Sequence, residues 1–304
     1  MSEVGGPKQG LMNIGEEAKP PFAVLPDPVF LFLNRSKRFA ALAPQHELQP
    51  YLEFLTRLTQ AQHDIQEGLP PAALPPFDRI ERALEHGMPP LSRALFKPDE
   101  LMAFTIEQLI GRITGGQPEA TARAVSSIQA ATAAQRGAMI AGALKDTVPP
   151  DDIAQRTLVL AALQVHFARM AALLSADDLK PIADGVCPAC GSAPVSSTVV
   201  GWPKAHNTRF CTCSLCATMW NVVRVKCVLC SSTEGISYKV IEGKSDTIKA
   251  ETCDKCRRYV KILYQVNDPL LEPLADDVAS LGLDMMLAGE TWTRGAQNPF
   301  LLGY

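Results

Sequence analysis

The chain has 304 residues, a net charge of −3, and a composition of 47% hydrophobic and 20% charged residues, which excludes an intrinsically disordered protein and a strongly basic polyanion binder. No apolar run reaches the about 18 residues that a membrane helix needs, so stable membrane insertion is not expected. The N-terminal MSEVGGPKQG lacks the basic and apolar regions of a secretory signal, and a cytoplasmic protein is expected.

Residues 1–20, rich in glycine and charge, read as a flexible tail. Pro20, Pro21, Pro26 and Pro28 predict extended chain over 20–30. Helical patterns follow at 34–42 and at 49–65, where Tyr51, Leu55, Leu58 and Ile65 recur on one face. Prolines break the pattern over 69–76. Pro98-Asp99-Glu100 predicts a helix start that runs to about Ile113 and ends at Gly115–Gly116. The Ala-rich stretch 118–145 reads as helix, with Ala124, Ile128 and Ala131 on one face. Pro149-Pro150-Asp151-Asp152 predicts the cap of another helix, running through Leu174.

Residues 21–184 thus read as an all-α domain, and at Gly185 the texture changes. Runs such as Val199–Val200, Trp220–Val225, Tyr238–Ile241 and Tyr259–Val266 predict short strands in small antiparallel sheets. Residues 270–290 read as helical again, and 291–304 as a tail carrying Trp292 and Pro299–Phe300. The fold class expected is α+β. An N-terminal helical domain precedes two tandem rubredoxin-like or zinc-ribbon modules at 185–225 and 226–266, and 267–304 forms a C-terminal helix and tail.

All nine cysteines lie between residues 187 and 256. Eight form four CxxC pairs: Cys187/Cys190, Cys213/Cys216, Cys227/Cys230 and Cys253/Cys256. Each member of the last two pairs lies 40 residues after its counterpart in the first two, so the segment is an internal repeat. A CxxC turn directs two thiolates to one side of a loop, and a second such turn beside it closes a tetrahedral S₄ shell. That shell suits zinc or a single rubredoxin-type iron. Repeats of this size are too small to fold on an apolar core alone, so a purely structural role for the metals is one reading. A dithiol redox role does not explain why the pairs stand in register. Cys211, outside the pairs, reads as a packed thiol.

The remaining candidates are weaker. His206 is the one histidine in the cysteine region, and the sulfur shells need no further ligand. Asp276–Asp277 read as a solvated helix face, and Trp202, Trp220 and Tyr259 as packing for a small core. Between Cys187 and Gln265 there are 11 Lys/Arg against 5 Asp/Glu. Eight thiolates and two divalent ions reduce that excess to roughly +2, so no nucleic-acid partner is expected. No phosphate loop, nucleophile elbow or HExxH motif occurs, so no enzymatic activity is expected. No feature sets an oligomeric state.

Several segments together resemble the FdhE family of formate dehydrogenase accessory proteins. These are CPACGSAPVSS (187–197), CSLC followed by WNVVRVKC and a closing Cys230 (213–230), IKAETCDKC (248–256), KILYQ (261–265), ADDVASL (275–281) and NPFL (298–301). RSKRFAALA (35–43) and YLEFLTRLTQAQ (51–62) extend the resemblance over nearly the whole chain. It implies a cytoplasmic, chaperone-like factor needed for active respiratory formate dehydrogenase, binding the catalytic subunit before export. It implies two iron ions in rubredoxin-type Cys₄ sites, with zinc as the alternative. Cys187, Cys190, Cys213 and Cys216 would form one site, and Cys227, Cys230, Cys253 and Cys256 the other. A rubredoxin-like electron carrier and a zinc-ribbon nucleic-acid binder are the rival readings.

Overall fold

The computed structural model describes residues 20–113, 119–145, 153–243 and 245–302. A two-residue strand, β1 (Ala23–Val24), opens it, and helix α1 (Pro28–Leu42) follows. The proline run therefore yields to helix earlier than expected. Asp27 caps α1, its Oδ1 accepting from Val29 N at 3.0 Å, and Pro28 occupies a first-turn position where a missing N–H costs nothing. α2 (Gln49–Asp64) packs along α1, with Ser36 Oγ donating to Thr56 O at 3.0 Å. After the proline break comes α3 (Phe77–Glu85), which buries none of its residues and whose apolar stripe is too short to announce it.

α4 (Glu100–Arg112) starts as read, with Asp99 Oδ1 accepting from Met102 N at 2.7 Å. Gly115–Gly116 and Pro149–Asp152 lie outside the described residues. The Ala-rich stretch is two helices, α5 (Glu119–Ala130) and α6 (Ala133–Ala143). Thr132 separates them because its side chain caps α6 in a reciprocal capping box with Gln135. α7 (Ile153–Ala171) is the central helix. Nearly every residue from Thr157 on is buried, and α2, α4, α5 and α6 all pack against it. A helix apolar all round belongs in the middle of a bundle.

Six strands follow: β2 (Pro194–Val200), β3 (Thr208–Cys213), β4 (Met219–Val222), β5 (Ile236–Lys239), β6 (Ile248–Cys253) and β7 (Arg258–Tyr264). Two separate small sheets were expected; the strands form one. Each repeat is an antiparallel meander, and the two join where β2 runs parallel to β7. The order is β1-β4-β3-β2-β7-β6-β5. Pairing with β7 places β2 mid-sheet, and all seven of its residues are buried. An unpaired β2 edge would strand buried backbone groups.

The C-terminal helix is shorter than expected and broken at Ser280 into α8 (Ala275–Ala279) and α9 (Leu281–Leu287). The tail adds β8 (Thr293–Arg294) beside β7 and buries Phe300 against Phe39. Asp276 and Asp277 are not on a solvated face; both are buried. As neighbours on a helix they point to different sides. Asp276 takes the Arg38 guanidinium from α1 at 2.6 and 2.8 Å. Asp277 pairs with Lys261 and Arg294 and accepts from Asn298 Nδ2 at 2.8 Å. Asp284 joins them, 2.5 Å from both Lys261 Nζ and Arg294 Nη1.

This cluster ties α8, α9 and the tail to β7, and it sets an acid limit. Burial pushes the Asp277 carboxyl up, but Arg294 and Lys261 outweigh it and hold it below the usual carboxylate value. Its contribution is therefore complete above about pH 4 and is lost as pH falls through the lowered value. The near-ultraviolet signal of Tyr259 and Trp292 should hold steady down to about pH 4 and fall below it. A transition near pH 6 would contradict the assignment.

Candidate metal centres

Each knuckle follows one local pattern. The N–H of Cys187, Cys213 and Cys227 donates to the carbonyl five residues on, at Ser192, Thr218 and Ser232, over 2.8–2.9 Å. The chain must then turn sharply after the second cysteine. Gly191, Ala217, Ser231 and Arg257 all hold positive φ, between 54° and 79°. Within the CxxC loop itself backbone N–H groups face sulfur: Leu215 N and Cys216 N both lie 3.4 Å from Cys213 Sγ.

Only one of the four turns has the residue that the conformation favours. Gly191→Ala adds strain at φ 79° and sets a Cβ 3.1 Å from the rigid Pro89 ring, so a loss of about 1–2 kcal/mol is expected. Ala217→Gly at φ 58° should instead stabilise by up to about 1 kcal/mol. Urea unfolding of the two variants should show these opposite signs.

The β-meanders bring the knuckles together in pairs. Cys187, Cys190, Cys213 and Cys216 form one cluster, and Cys227, Cys230, Cys253 and Cys256 another; within each, the sulfurs all lie within 4.8 Å of one another. Across the facing knuckles, sulfurs 187/216 lie 3.6 Å apart and 190/213 3.4 Å, and 227/256 3.8 Å and 230/253 3.7 Å. These are too long for disulfides, whose S–S bond is about 2.05 Å. A tetrahedron with metal–sulfur bonds of about 2.3 Å has edges of about 3.8 Å. The donor set and spacing fit, and each cluster could hold one metal ion.

The two cages differ in setting. All four sulfurs of the first are buried within the main hydrophobic cluster, beside Ala189, Leu215 and Trp220. The helical unit grips this cage directly. Leu91 N donates to Ala189 O and Arg93 N to Cys190 O, each at 2.9 Å. Gln164 Nε2 of α7 donates to Ser214 O at 2.9 Å, and Gln62 of α2 donates to Gln164 Oε1. Ser192 Oγ and Thr218 Oγ1 lie 3.3 and 3.2 Å from the sulfurs of Cys190 and Cys216. In the second cage Cys230 and Cys256 are half-buried and reach the surface.

Cys211 belongs to neither cluster. It is fully buried on β3, and burial pushes its thiol up to about 12, an inert packed group. His206 is exposed. Trp202 packs on Phe210 and Val200, Trp220 joins the main cluster, and Tyr259 packs with Leu283 and Leu287.

One supporting residue had no sequence signal. Arg209 on β3 is fully buried and bidentate to Glu251 of β6 at 2.8 and 2.9 Å. It also donates to Ser197 Oγ and to the carbonyls of Arg224 and Lys226, just before Cys227. A lone arginine in an alternating strand reads as surface. Only its partners Glu251, Ser197 and the two carbonyls, distant in sequence, mark it as internal.

Family models match in three consecutive pieces: "FdhE, N-terminal" over residues 20–184, "FdhE, central domain" over 186–224 and "FdhE, C-terminal domain" over 225–301. A "Protein FdhE homolog" of Rhizobium meliloti (strain 1021) is 42% identical over 294 residues, covering 96% of each chain. Another, of Cronobacter sakazakii, is 33% identical, covering 89% of this chain and 88% of its own. The crystal structure of the FdhE protein from Pseudomonas aeruginosa superposes with a TM-score of 0.80 at 30% identity, covering 92% of this chain and 98% of that one. With matches of this length and strength, the chain belongs to the FdhE family.

Proposed function

We propose that this protein is an accessory factor, not an enzyme, that acts in the cytoplasm on the catalytic subunit of formate dehydrogenase before that subunit is exported. Family membership over the whole described chain carries this reading. The eight paired cysteines would hold two ions. Iron is the ion the family resemblance implies, and zinc the one the same sulfurs also accept. Four sulfurs per ion leave no coordination position for substrate, which supports a binding role over metal catalysis. When bound, either ion braces its knuckles, and iron can also exchange one electron. The chain's own residues enclose the first cage and leave the second at the surface.

The test is genetic and biochemical. Removing the protein should abolish formate dehydrogenase activity while leaving the catalytic subunit's synthesis intact. The tagged protein should retain that subunit during isolation and show no turnover of its own. Full formate dehydrogenase activity without the protein would overturn the proposal.

The half-buried Cys230 and Cys256 favour one second reading, a rubredoxin-like electron carrier. Zinc-loaded protein separates the two. If it restores formate dehydrogenase as well as iron-loaded protein does, electron transfer is not its role. A nucleic-acid role has less support, because Arg209 and Lys261 are buried in ion pairs.

A further inference from the structure

The internal repeat shows what the open edge of the sheet is shaped to receive. Thr212 and Thr252 hold equivalent places in the two meanders, opposite Ser196 and Ser237. From there Ser197, Thr198 and Val199 of β2 correspond to Tyr238 and Lys239 of β5 and to Val240 just past its end. In the first repeat this lane is filled: Ser197, Thr198 and Val199 lie beside Ile262, Leu263 and Tyr264 of the parallel strand β7. Val199 O accepts from Val266 N across that junction. In the second repeat the corresponding lane is at the end of the sheet, where β5 pairs with β6 on its other side.

The register fixes which groups face outward. Asp254 N donates to Gly235 O at 2.9 Å, so Gly235, Ser237 and Lys239 turn their backbone groups toward β6. Tyr238 and Val240 turn theirs away. Among the described residues those groups have no backbone partner. Both residues are 42% exposed, on one face of the sheet; on the other face Lys239 Nζ lies 5.4 Å from the ring centroid of Trp292.

A second copy of this chain cannot fill this lane with the strand equivalent to β7. The counterpart of β7 is β4, and its outer edge is already covered by β1 through Ala23–Trp220 and Val24–Met219. Head-to-tail pairing of two chains is thereby blocked.

We infer that the open edge running from Tyr238 on β5 to Val240 just past its end takes an extended, apolar-patterned segment of a client protein as an added parallel strand, in the way β2 takes β7. Backbone bonds at Tyr238 and Val240 hold the segment, and the two exposed side chains select apolar residues on their face of it. That the client is the formate dehydrogenase catalytic subunit rests on the proposed function; the edge itself does not.

Two probes keep these apart. The first is a synthetic peptide copying β7, residues 258–265, added in excess to the full-length metal-loaded protein. The second is the purified catalytic subunit. Hydrogen exchange is read at the Tyr238 and Val240 amides. Each probe should slow both by about tenfold or more. Val240→Pro removes one outward N–H and leaves the β5–β6 bonds in place, so it should abolish the protection at the remaining Tyr238 amide. Unchanged exchange of the β6 and β7 amides would show that this variant is folded. No protection by saturating peptide would overturn the edge as a docking site. Subunit binding without protection at β5 would overturn it as the client's site. Peptide protection with no subunit binding would leave the edge standing and sink the formate dehydrogenase reading. Protection that instead tracks a concentration-dependent dimer would identify self-pairing and overturn the inference.

Discussion

Cys190→Ser is expected to cost the first cage its ion and unfold the helical unit with it, whereas Cys256→Ser should cost only the second ion. The asymmetry follows from where the cages sit. Cys190 is fully buried in the main hydrophobic cluster, and its carbonyl anchors Arg93 N. Gln164 reaches from the central helix to Ser214 in the opposing knuckle. Loosening this cage releases helix contacts along with ribbon contacts. A structural zinc site in a small peptide contributes about 10–16 kcal/mol, and a domain's net stability is only about 5–15 kcal/mol, so losing even part of it is decisive. Cys256 stands at a surface rim, where water can replace its lost contacts. Metal content per chain and far-ultraviolet melting check this. Cys256→Ser should retain one ion and a helical melt near that of the unaltered protein, and Cys190→Ser should show no cooperative helical melt. Equal effects of the two substitutions would refute the asymmetry.

The parts of this fold that were readable in advance are those written over short distances. A CxxC turn encodes its own geometry, and the 40-residue offset marks a duplicated unit in the sequence itself. Asp99 marked the start of α4 for the same local reason. Signals of the same kind, each within four residues, are Asp27-Pro28, which caps α1, and Thr132 with Gln135, which divides the Ala-rich stretch.

Other features were not local at all. The β2–β7 junction joins residues 197–199 to 262–264, and no periodicity in either strand names the other. Asp276 and Asp277 look like surface charge because the cations that bury them arrive from α1, β7 and β8. The environment of a charge is a tertiary property, and a charge is therefore the residue type most easily misplaced by reading along the chain.

Arg209 shows how large such a misplacement can be. Arg209→Met is expected to cost about 3–5 kcal/mol, because it leaves the Glu251 carboxylate buried without a counter-charge. It also takes a donor from Ser197 and from the carbonyls of Arg224 and Lys226, where the chain enters the second cage. Glu251→Leu leaves the opposite charge stranded and should cost a similar amount. The double variant removes both charges, and its two apolar side chains fill comparable space between β3 and β6. Its loss should therefore be well below the sum of the single losses, with a coupling of about 2 kcal/mol or more. Urea unfolding of the four proteins measures this directly. Additive losses would mean that the pair is not what holds β3 to β6. If the double variant regains stability but binds the second ion more weakly, the carbonyl contacts of Arg209 are what position Cys227.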